Sequence, residues 1–139
     1  MHNVEYKCEL REPGVARAKL AAMGGDNIAT LRQTDTYFNT VSGRLKRRVS
    51  TALTGSGEET GGDAEPTEWI HYDRPDKLEF KISRFTIYTP EEAAERFGVT
   101  PLPVRIVVEK QREVWMVGQV RVHLDEVDTL GCFLEFEAL

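Results

Sequence analysis

The sequence predicts an α+β fold dominated by β-strands, on the basis of three observations. Apolar and polar residues alternate strictly through most segments, which is the period of a half-buried antiparallel strand. Two short segments instead carry a proline near their start and a glycine at their end, as helices do. The order strand–helix–strand–strand–strand occurs twice, although no sequence identity links the halves. Eight antiparallel strands with two helices can form either a closed barrel or two packed sheets.

The first half of the chain contains a strand, a helix and three further strands, which we place at 3–10, 12–25, 28–39, 43–49 and 69–74. Pro13 near the start of the helix and the pair Gly24–Gly25 at its end delimit it. Between 50 and 68 the alternation stops, and four glycines stand among small polar residues. This composition predicts a flexible loop inside a single domain that spans 1–139.

The second half repeats the order of the first, with segments at 77–88, 89–98, 104–117, 119–127 and 132–138. The segment 89–98 is the helix, because Thr89 can cap it, Pro90 fits its first position and Gly98 can end it. Acidic residues in its first turn complement the helix dipole. Gly118 and the sequence DTLG predict tight turns between the last three strands.

Bulk properties narrow the classes of function. No apolar run approaches the roughly 20 residues that span a bilayer, and the start of the chain lacks the pattern of a signal peptide. The two cysteines, Cys8 and Cys132, form neither a disulfide framework nor a zinc-site spacing. We therefore expect a cytoplasmic protein that does not bind membranes. The net charge of −5 argues against a nucleic acid as partner.

The polar faces of the strands carry like charges that are grouped by strand. Acids dominate the first and last strands, and bases dominate the third and sixth. Neighbours on one face of a strand lie roughly 6–7 Å apart, so unpartnered like charges cost stability. Carboxylate pairs suit Mg²⁺ or Mn²⁺, and rows of arginine and lysine suit phosphate oxygens. The pattern fits either a site for a metal-complexed polyphosphate or an ordinary solvated face, and alternation alone leaves both open.

Several segments, in this order along the chain, resemble the CYTH superfamily. They are EYK (5–7), DTYFN (35–39), GRLKRR (43–48) and the long run 109–137, supported by WIHYDRPD (69–76) and KISRF (81–85). This superfamily contains class IV adenylate cyclases and triphosphate tunnel hydrolases. The resemblance implies an eight-stranded antiparallel closed tunnel barrel, built from two βαβββ halves with the helices outside and charged side chains inside.

The resemblance also implies roles for individual residues. Mg²⁺ or Mn²⁺ would be held by Glu5, Asp125, Glu135 and Glu137. The triphosphate would be bound by Lys7, Arg44, Lys46, Arg84, Lys110, Arg112 and Arg121. Among these, the catalytic residues would be Lys7, Arg112 and Asp125. His123 is either a further site residue or a structural hydrogen-bonding residue, and Tyr37 and Phe38 are expected in the core.

The sequence departs from the family pattern in two places. The first strand carries Asn3 where the family has a glutamate, so one anionic metal ligand is replaced by a neutral one. The resembled proteins continue past the last strand into a further helix, whereas this sequence stops at Leu139. We therefore expect a second copy, in a homodimer, to cover the outward apolar residues Val4, Tyr6, Leu10, Val122, Leu124, Leu134 and Phe136.

The function implied is metal-dependent hydrolysis of a triphosphate, either inorganic triphosphate or a nucleoside or other organic triphosphate. The same metal-binding and triphosphate-binding residues would serve a class IV adenylate cyclase, which converts ATP to cyclic AMP and pyrophosphate. A non-catalytic module that binds polyphosphate or nucleotide is the third possibility. The partner in each case is a phosphorylated small molecule.

Overall fold

A computed structural model describes residues 2–40, 43–54, 57–73 and 81–138 of the chain. The strands are β1 (His2–Glu9), β2 (Asp26–Phe38), β3 (Arg44–Leu53), β4 (Glu59–Tyr72), β5 (Lys81–Tyr88), β6 (Val104–Val117), β7 (Val120–Val127) and β8 (Gly131–Ala138). The helices are α1 (Pro13–Ala22) and α2 (Pro90–Phe97). This order is the predicted repeat of two βαβββ halves. The start of the predicted strand at 77–88 lies outside the described residues.

The strands form one closed antiparallel barrel in the order β1-β5-β4-β3-β2-β6-β7-β8. Closure is made by β1 and β8, which pair from Val4 opposite Ala138 to Glu9 opposite Phe133. The closed barrel implied by the family resemblance is confirmed, and the alternative of two packed sheets is wrong. Because side chains alternate along each strand, one face of every strand points into the barrel and the other points outward.

The predicted flexible loop over 50–68 is wrong for most of its length. β3 continues to Leu53 and β4 begins at Glu59, so the two strands pair out to Leu53 opposite Glu59. Between the two strands, the amide of Gly57 donates to the carbonyl of Thr54. The pairing shifts register repeatedly between Arg48 and Leu53. The sequence lacks apolar alternation where the register shifts occur. Backbone hydrogen bonds nevertheless hold the two strands together there.

α1 packs on the outside of the barrel and buries part of its apolar surface. Leu20 of this helix forms a cluster with Trp115, Val122 and Leu124. Leu10 and Leu134 pack against the same cluster. The expectation that a second copy covers Val122 and Leu124 is therefore wrong, because α1 covers them. The predicted apolar surface shrinks to a patch around Val4 and Phe136, which are 44% and 37% exposed.

α2 begins and ends as its sequence predicts. The hydroxyl of Thr89 accepts a hydrogen bond from the amide of Glu92 at 3.2 Å. Gly98, at φ +89°, donates its amide to the carbonyl of Ala94. Within the described part of the chain, neither helix is long and apolar enough to cross a membrane.

Candidate functional site

The inward faces of the strands enclose one large charged cavity, which we name the central cavity. Its volume is about 420 Å³. Of the described residues, seven basic side chains line it: Lys7, Arg44, Lys46, Arg48, Lys110, Arg112 and Arg121. Four acidic side chains line it as well: Glu5, Glu68, Glu135 and Glu137. The cavity lining is thus net positive in a chain whose overall charge is −5.

Most of the residues implied by the family resemblance meet in this cavity. The structure brings together three of the four expected metal ligands and six of the seven expected phosphate-binding residues. Arg84 is the phosphate-binding exception, since it lies exposed on β5 and does not line the cavity. Asp125 is the other exception: it is buried and is not among the residues that line the cavity. Asn3 lies on β1 opposite Ser83.

A fully buried carboxylate, Asp35 on β2, organises the basic wall of the cavity. It lies opposite Arg48 on β3, whose guanidinium donates to both carboxylate oxygens at 2.8 Å. The ammonium of Lys110 is 3.2 Å from the same carboxylate, and that of Lys46 is 3.9 Å away. One anion therefore holds three cations. Although burial opposes ionisation of Asp35, these cations hold its pKa well below its usual range.

Two lysines of this wall, Lys46 and Lys110, have lowered pKa values. Burial and the neighbouring Arg112 lower the pKa of Lys110 to about 8. Burial and Arg48 lower the pKa of Lys46 well below its ordinary value. Both lysines are less than a tenth exposed. A polyanion in the cavity would place negative charge beside both lysines and favour their protonated form.

Asp125 on β7 holds Arg112 on β6 in a bidentate pair. The Nε and Nη2 atoms of Arg112 donate to the two carboxylate oxygens at 2.7 and 2.8 Å. Burial opposes ionisation of Asp125, but Arg112 outweighs it and lowers the pKa to about 2. The pair fixes the orientation of the guanidinium toward the cavity. Because both oxygens of Asp125 are engaged in this way, its geometry suits positioning Arg112 better than binding a metal.

Across the cavity, β7 and β8 bring together His123, Glu135 and Glu137, which we name the His–Glu–Glu group. Each offers one ligand atom, and these atoms lie within 4.8 Å of one another. His123 Nδ1 is 3.0 Å from an oxygen of Glu135, and the ammonium of Lys7 is 3.6 Å from the other oxygen. Burial and Arg112 lower the pKa of His123 to about 4, so its imidazole is neutral at neutral pH.

This group fits a divalent cation. Two carboxylates and a neutral imidazole are donors that such ions accept without a prior loss of protons. Burial opposes ionisation of Glu135, yet His123, Arg112 and Lys7 together hold its pKa well below the usual range. Glu5 lines the same cavity and lies opposite Glu137 in the pairing of β1 with β8. The expected ligands Glu5, Glu135 and Glu137 thus share one side of the barrel, and His123 joins them.

A less charged wall completes the cavity on β4 and β5. Ile70, Tyr72, Phe85 and Ile87 line it there. The ammonium of Lys46 lies 5.1 Å from the ring centre of Tyr72, which stabilises the cation. Tyr37, expected in the core, also lines the cavity and lies beneath the guanidinium of Arg44 at 5.4 Å. Phe38 is buried, as expected, and stacks on Trp69.

Sequence reasoning missed two members of this site, Asp35 and Arg48. Arg48 belongs to the basic row of the third strand, but the family resemblance gave it no role. Asp35 stands two residues before Tyr37, and alternation places both on one face of β2. A lone aspartate between threonines gives no sign that it will meet cations from two other strands. The usable signal was its inward position in a strand flanked by basic strands on both sides.

The comparisons with known proteins agree with this architecture. The family model described as CYTH domain matches residues 1–139. Among solved structures, a Pyrococcus horikoshii protein is 25% identical, with 99% of this chain and 78% of that chain covered and a TM-score of 0.67. No protein of the curated collection matches the chain.

Two further structures share the fold at lower identity. A Vibrio parahaemolyticus protein described as a candidate adenylate cyclase is 18% identical, with 100% of this chain and 76% of that chain covered and a TM-score of 0.68. A candidate adenylyl cyclase of Hippeastrum, described as having a dominant triphosphatase activity, is 16% identical. That match covers 97% of this chain and 78% of the other, with a TM-score of 0.59.

Proposed function

The chain belongs to the CYTH domain family, and from that premise we propose that it is a divalent-metal-dependent phosphohydrolase. Its substrate is a triphosphate, inorganic or organic, bound in the central cavity. The observation that carries the proposal is the cationic wall built around Asp35, which faces the His–Glu–Glu group across one cavity. A chain of phosphates complexed to a metal has the charges that these two walls lack.

The electrostatics favour a polyanion over a neutral ligand. Lys46 and Lys110 are almost fully buried, and their pKa values are lowered first by burial and then by a neighbouring arginine. Buried charges are costly unless they are paired. A triphosphate offers several anionic oxygens with which these cations can pair. Binding therefore offsets a cost that the free protein already carries.

The residues of the cavity supply the groups that hydrolysis needs. Lys7 and Arg112 contact the oxygens of the reacting phosphate and stabilise the charge that develops there. Asp125 acts through Arg112 by fixing its guanidinium. A water molecule attacks the terminal phosphorus, and the bond between that phosphorus and the bridging oxygen breaks. The remaining diphosphate departs with the bridging oxygen, and the attacked phosphoryl group becomes orthophosphate as the water passes a proton to solvent. A divalent cation, when bound by Glu5, Glu135, Glu137 and their neighbours, neutralises phosphate charge.

The test is to identify products after incubation with Mg²⁺ or Mn²⁺ and either ATP or inorganic triphosphate. Phosphorus NMR should show orthophosphate, and removal of the metal with a chelator should abolish it. Glu135→Gln and Glu137→Gln should lose activity while remaining folded by circular dichroism, because each removes an anionic ligand. Glu126→Gln is the matched control, since Glu126 lies exposed on β7 outside the central cavity.

Other products would redirect the assignment. Pyrophosphate together with cyclic AMP from ATP would identify a cyclase. Tight metal-dependent binding without turnover would identify a binding module. Unchanged activity in both glutamine variants would refute the metal role of these glutamates.

We also propose that the protein is a cytoplasmic homodimer. Both cysteines, Cys8 and Cys132, are free thiols, which suits a reducing compartment. The patch that α1 leaves uncovered contains Val4 and Phe136, and the ring of Phe136 stacks on Tyr6 with centroids 6.4 Å apart. An outward aromatic and aliphatic patch of this kind suits a self-complementary interface.

A further inference from the structure

We propose that His123 is a direct metal ligand, and that the His–Glu–Glu group therefore selects a first-row transition ion over Mg²⁺. The inference rests on the proposed metal dependence and specifies which ions the site takes. A site of carboxylates alone would not select transition ions over Mg²⁺ in this way, so the selection depends on the imidazole of His123.

The strand pairing holds the three ligands in place. His123 lies directly opposite Glu135 in the β7–β8 ladder, and Arg121 lies opposite Glu137 in the next inward layer. Glu135 and Glu137 are neighbours on one face of β8. Their ligand atoms and that of His123 already lie within 4.8 Å of one another. Ligands on opposite sides of an ion with bonds of about 2.1 Å stand about 4.2 Å apart, so small side-chain rotations complete the site.

The chemistry of the donors decides the ion. Mg²⁺ requires near-octahedral oxygen coordination and keeps much of its water, so an imidazole nitrogen adds little to its binding. First-row transition ions accept imidazole readily, and their affinity for a given nitrogen and oxygen site rises from Mn²⁺ to Co²⁺. A site with one imidazole and two carboxylates should therefore bind Co²⁺ more tightly than Mn²⁺, and Mn²⁺ more tightly than Mg²⁺.

The location of the group supports a functional ion. His123, Glu135 and Glu137 all line the central cavity, and Lys46 and Lys110 of the basic wall line the same cavity. An ion held by the group would be accessible to the phosphate oxygens that those lysines bind. His123 is only 5% exposed, so its ring cannot move freely away from the glutamates.

The rival role for His123 is to orient Glu135 through the hydrogen bond at 3.0 Å. The two roles predict different outcomes. An orienting group affects the binding of every ion by a similar factor, because it acts through the carboxylate. A ligand affects transition ions and leaves Mg²⁺ nearly unchanged.

The experiment measures binding of the metal alone, without any phosphate, by calorimetry with Mg²⁺, Mn²⁺ and Co²⁺. The proteins are the wild type, His123→Asn and the control His71→Asn, whose histidine lies on β4 and packs against Phe97. His123→Asn should weaken Mn²⁺ and Co²⁺ by about tenfold or more and leave Mg²⁺ within about threefold. Pulsed electron paramagnetic resonance of bound Mn²⁺ should show nitrogen coupling in the wild type and the control, and none in His123→Asn.

Three results would overturn the inference. They are equal weakening of all three ions, no nitrogen coupling in the wild type, and binding of Co²⁺ no tighter than that of Mg²⁺, which includes no measurable binding of either. Thermal unfolding of His123→Asn in the absence of metal checks that the variant is folded, and His123→Gln provides a second variant if it is not. Binding is measured apart from turnover, so a protein that selects Co²⁺ but hydrolyses nothing would refute the proposed function and leave this inference standing.

Discussion

At the scale of single residues, Asp35 explains how a cavity can hold so many cations. It has no measurable exposure and holds Arg48, Lys110 and Lys46 by charge. A buried ion pair is weak evidence for stability, but a buried charge left without its partner is strongly destabilising. The role of Asp35 is therefore to make the cationic wall tolerable in the absence of ligand.

Replacing Asp35 by asparagine keeps the shape of the side chain and removes its charge. We expect Asp35→Asn to lower the free energy of unfolding by about 3–5 kcal/mol, because three cations lose their common partner. Urea denaturation followed by circular dichroism measures this. Inorganic triphosphate should raise the melting temperature of the variant more than that of the wild type, since the ligand then replaces the lost anion.

The control for this variant is Glu109→Gln, which removes an exposed carboxylate that lies 3.6 Å from Arg32. A partly exposed pair of this kind contributes at most about 1 kcal/mol. If Asp35→Asn were no less stable than Glu109→Gln, the carboxylate would not be what holds the wall together.

The residues of the cavity were predictable from sequence, while their partnerships were not. Alternation assigns Lys110, Arg112, Glu135 and Glu137 to polar faces, and the family resemblance sends those faces inward. Neither the alternation nor the resemblance predicts the bidentate pair between Arg112 and Asp125, because that pair depends on the register between β6 and β7. Register is a property of two strands together, so single-strand patterns leave it undetermined.

At the scale of elements, α1 covers part of the outer surface of the barrel and is fixed there by packing. The helix has one buried residue, Leu20, which is 6% exposed and packs on Trp115, Val122 and Leu124. Tight packing extends to the turn after the helix, where a side chain at Gly25 would meet the carbonyl of Leu20 at 2.8 Å. α1 is thus fixed to the outer surface of β6 and β7, whose inward residues build the cavity.

Truncating Leu20 should separate stability from binding. We expect Leu20→Ala to lower the free energy of unfolding by about 2–5 kcal/mol through loss of buried area and creation of a cavity. Affinity for inorganic triphosphate, measured by calorimetry at a temperature where both proteins are folded, should stay unchanged because Leu20 lies outside the barrel. Val15→Ala on the same helix is the matched control, since Val15 is 47% exposed. Equal destabilisation by the two variants would contradict the packing assigned to Leu20.

The helices were predicted well and the strand ends poorly, for physical reasons. Helix caps such as Thr89 and Gly98 depend only on nearby residues, so a few residues of sequence suffice to predict them. β3 extends to Leu53 and β4 begins at Glu59 because the backbones of the two strands pair across shifts in register. Small polar residues can take part in such pairing as easily as they form loops, so composition misleads there.

At the scale of the whole molecule, closure of the barrel was the step that sequence alone left open. Alternating strands are equally compatible with two packed sheets. The difference lies in the pairing of β1 with β5 and β8, which joins residues from distant parts of the sequence. The family resemblance predicted the closure, because it extends along the chain and implies the complete barrel.

The proposed homodimer is tested by light scattering at micromolar concentration. The wild type should have the mass of two chains, and Phe136→Lys should reduce it to one, because the substitution puts a charge into the proposed apolar interface. Ile106→Lys is the matched control, as Ile106 is 51% exposed on β6. A monomeric wild type would contradict the dimer, and dissociation by Ile106→Lys alone would move the interface to β6.

The seam at which the barrel closes also has a consequence for how the protein folds. Glu5 lies opposite Glu137, and Lys7 lies opposite Glu135, across the pairing of β1 with β8. Closing this seam joins the segments that are farthest apart in sequence, so it is the contact whose loop-closure entropy is largest. Glu5 and Glu137 come to lie opposite each other only when the two strands meet. His123, Glu135 and Glu137 meet through the pairing of β7 with β8, whereas Glu5 and Lys7 join them only when the barrel closes.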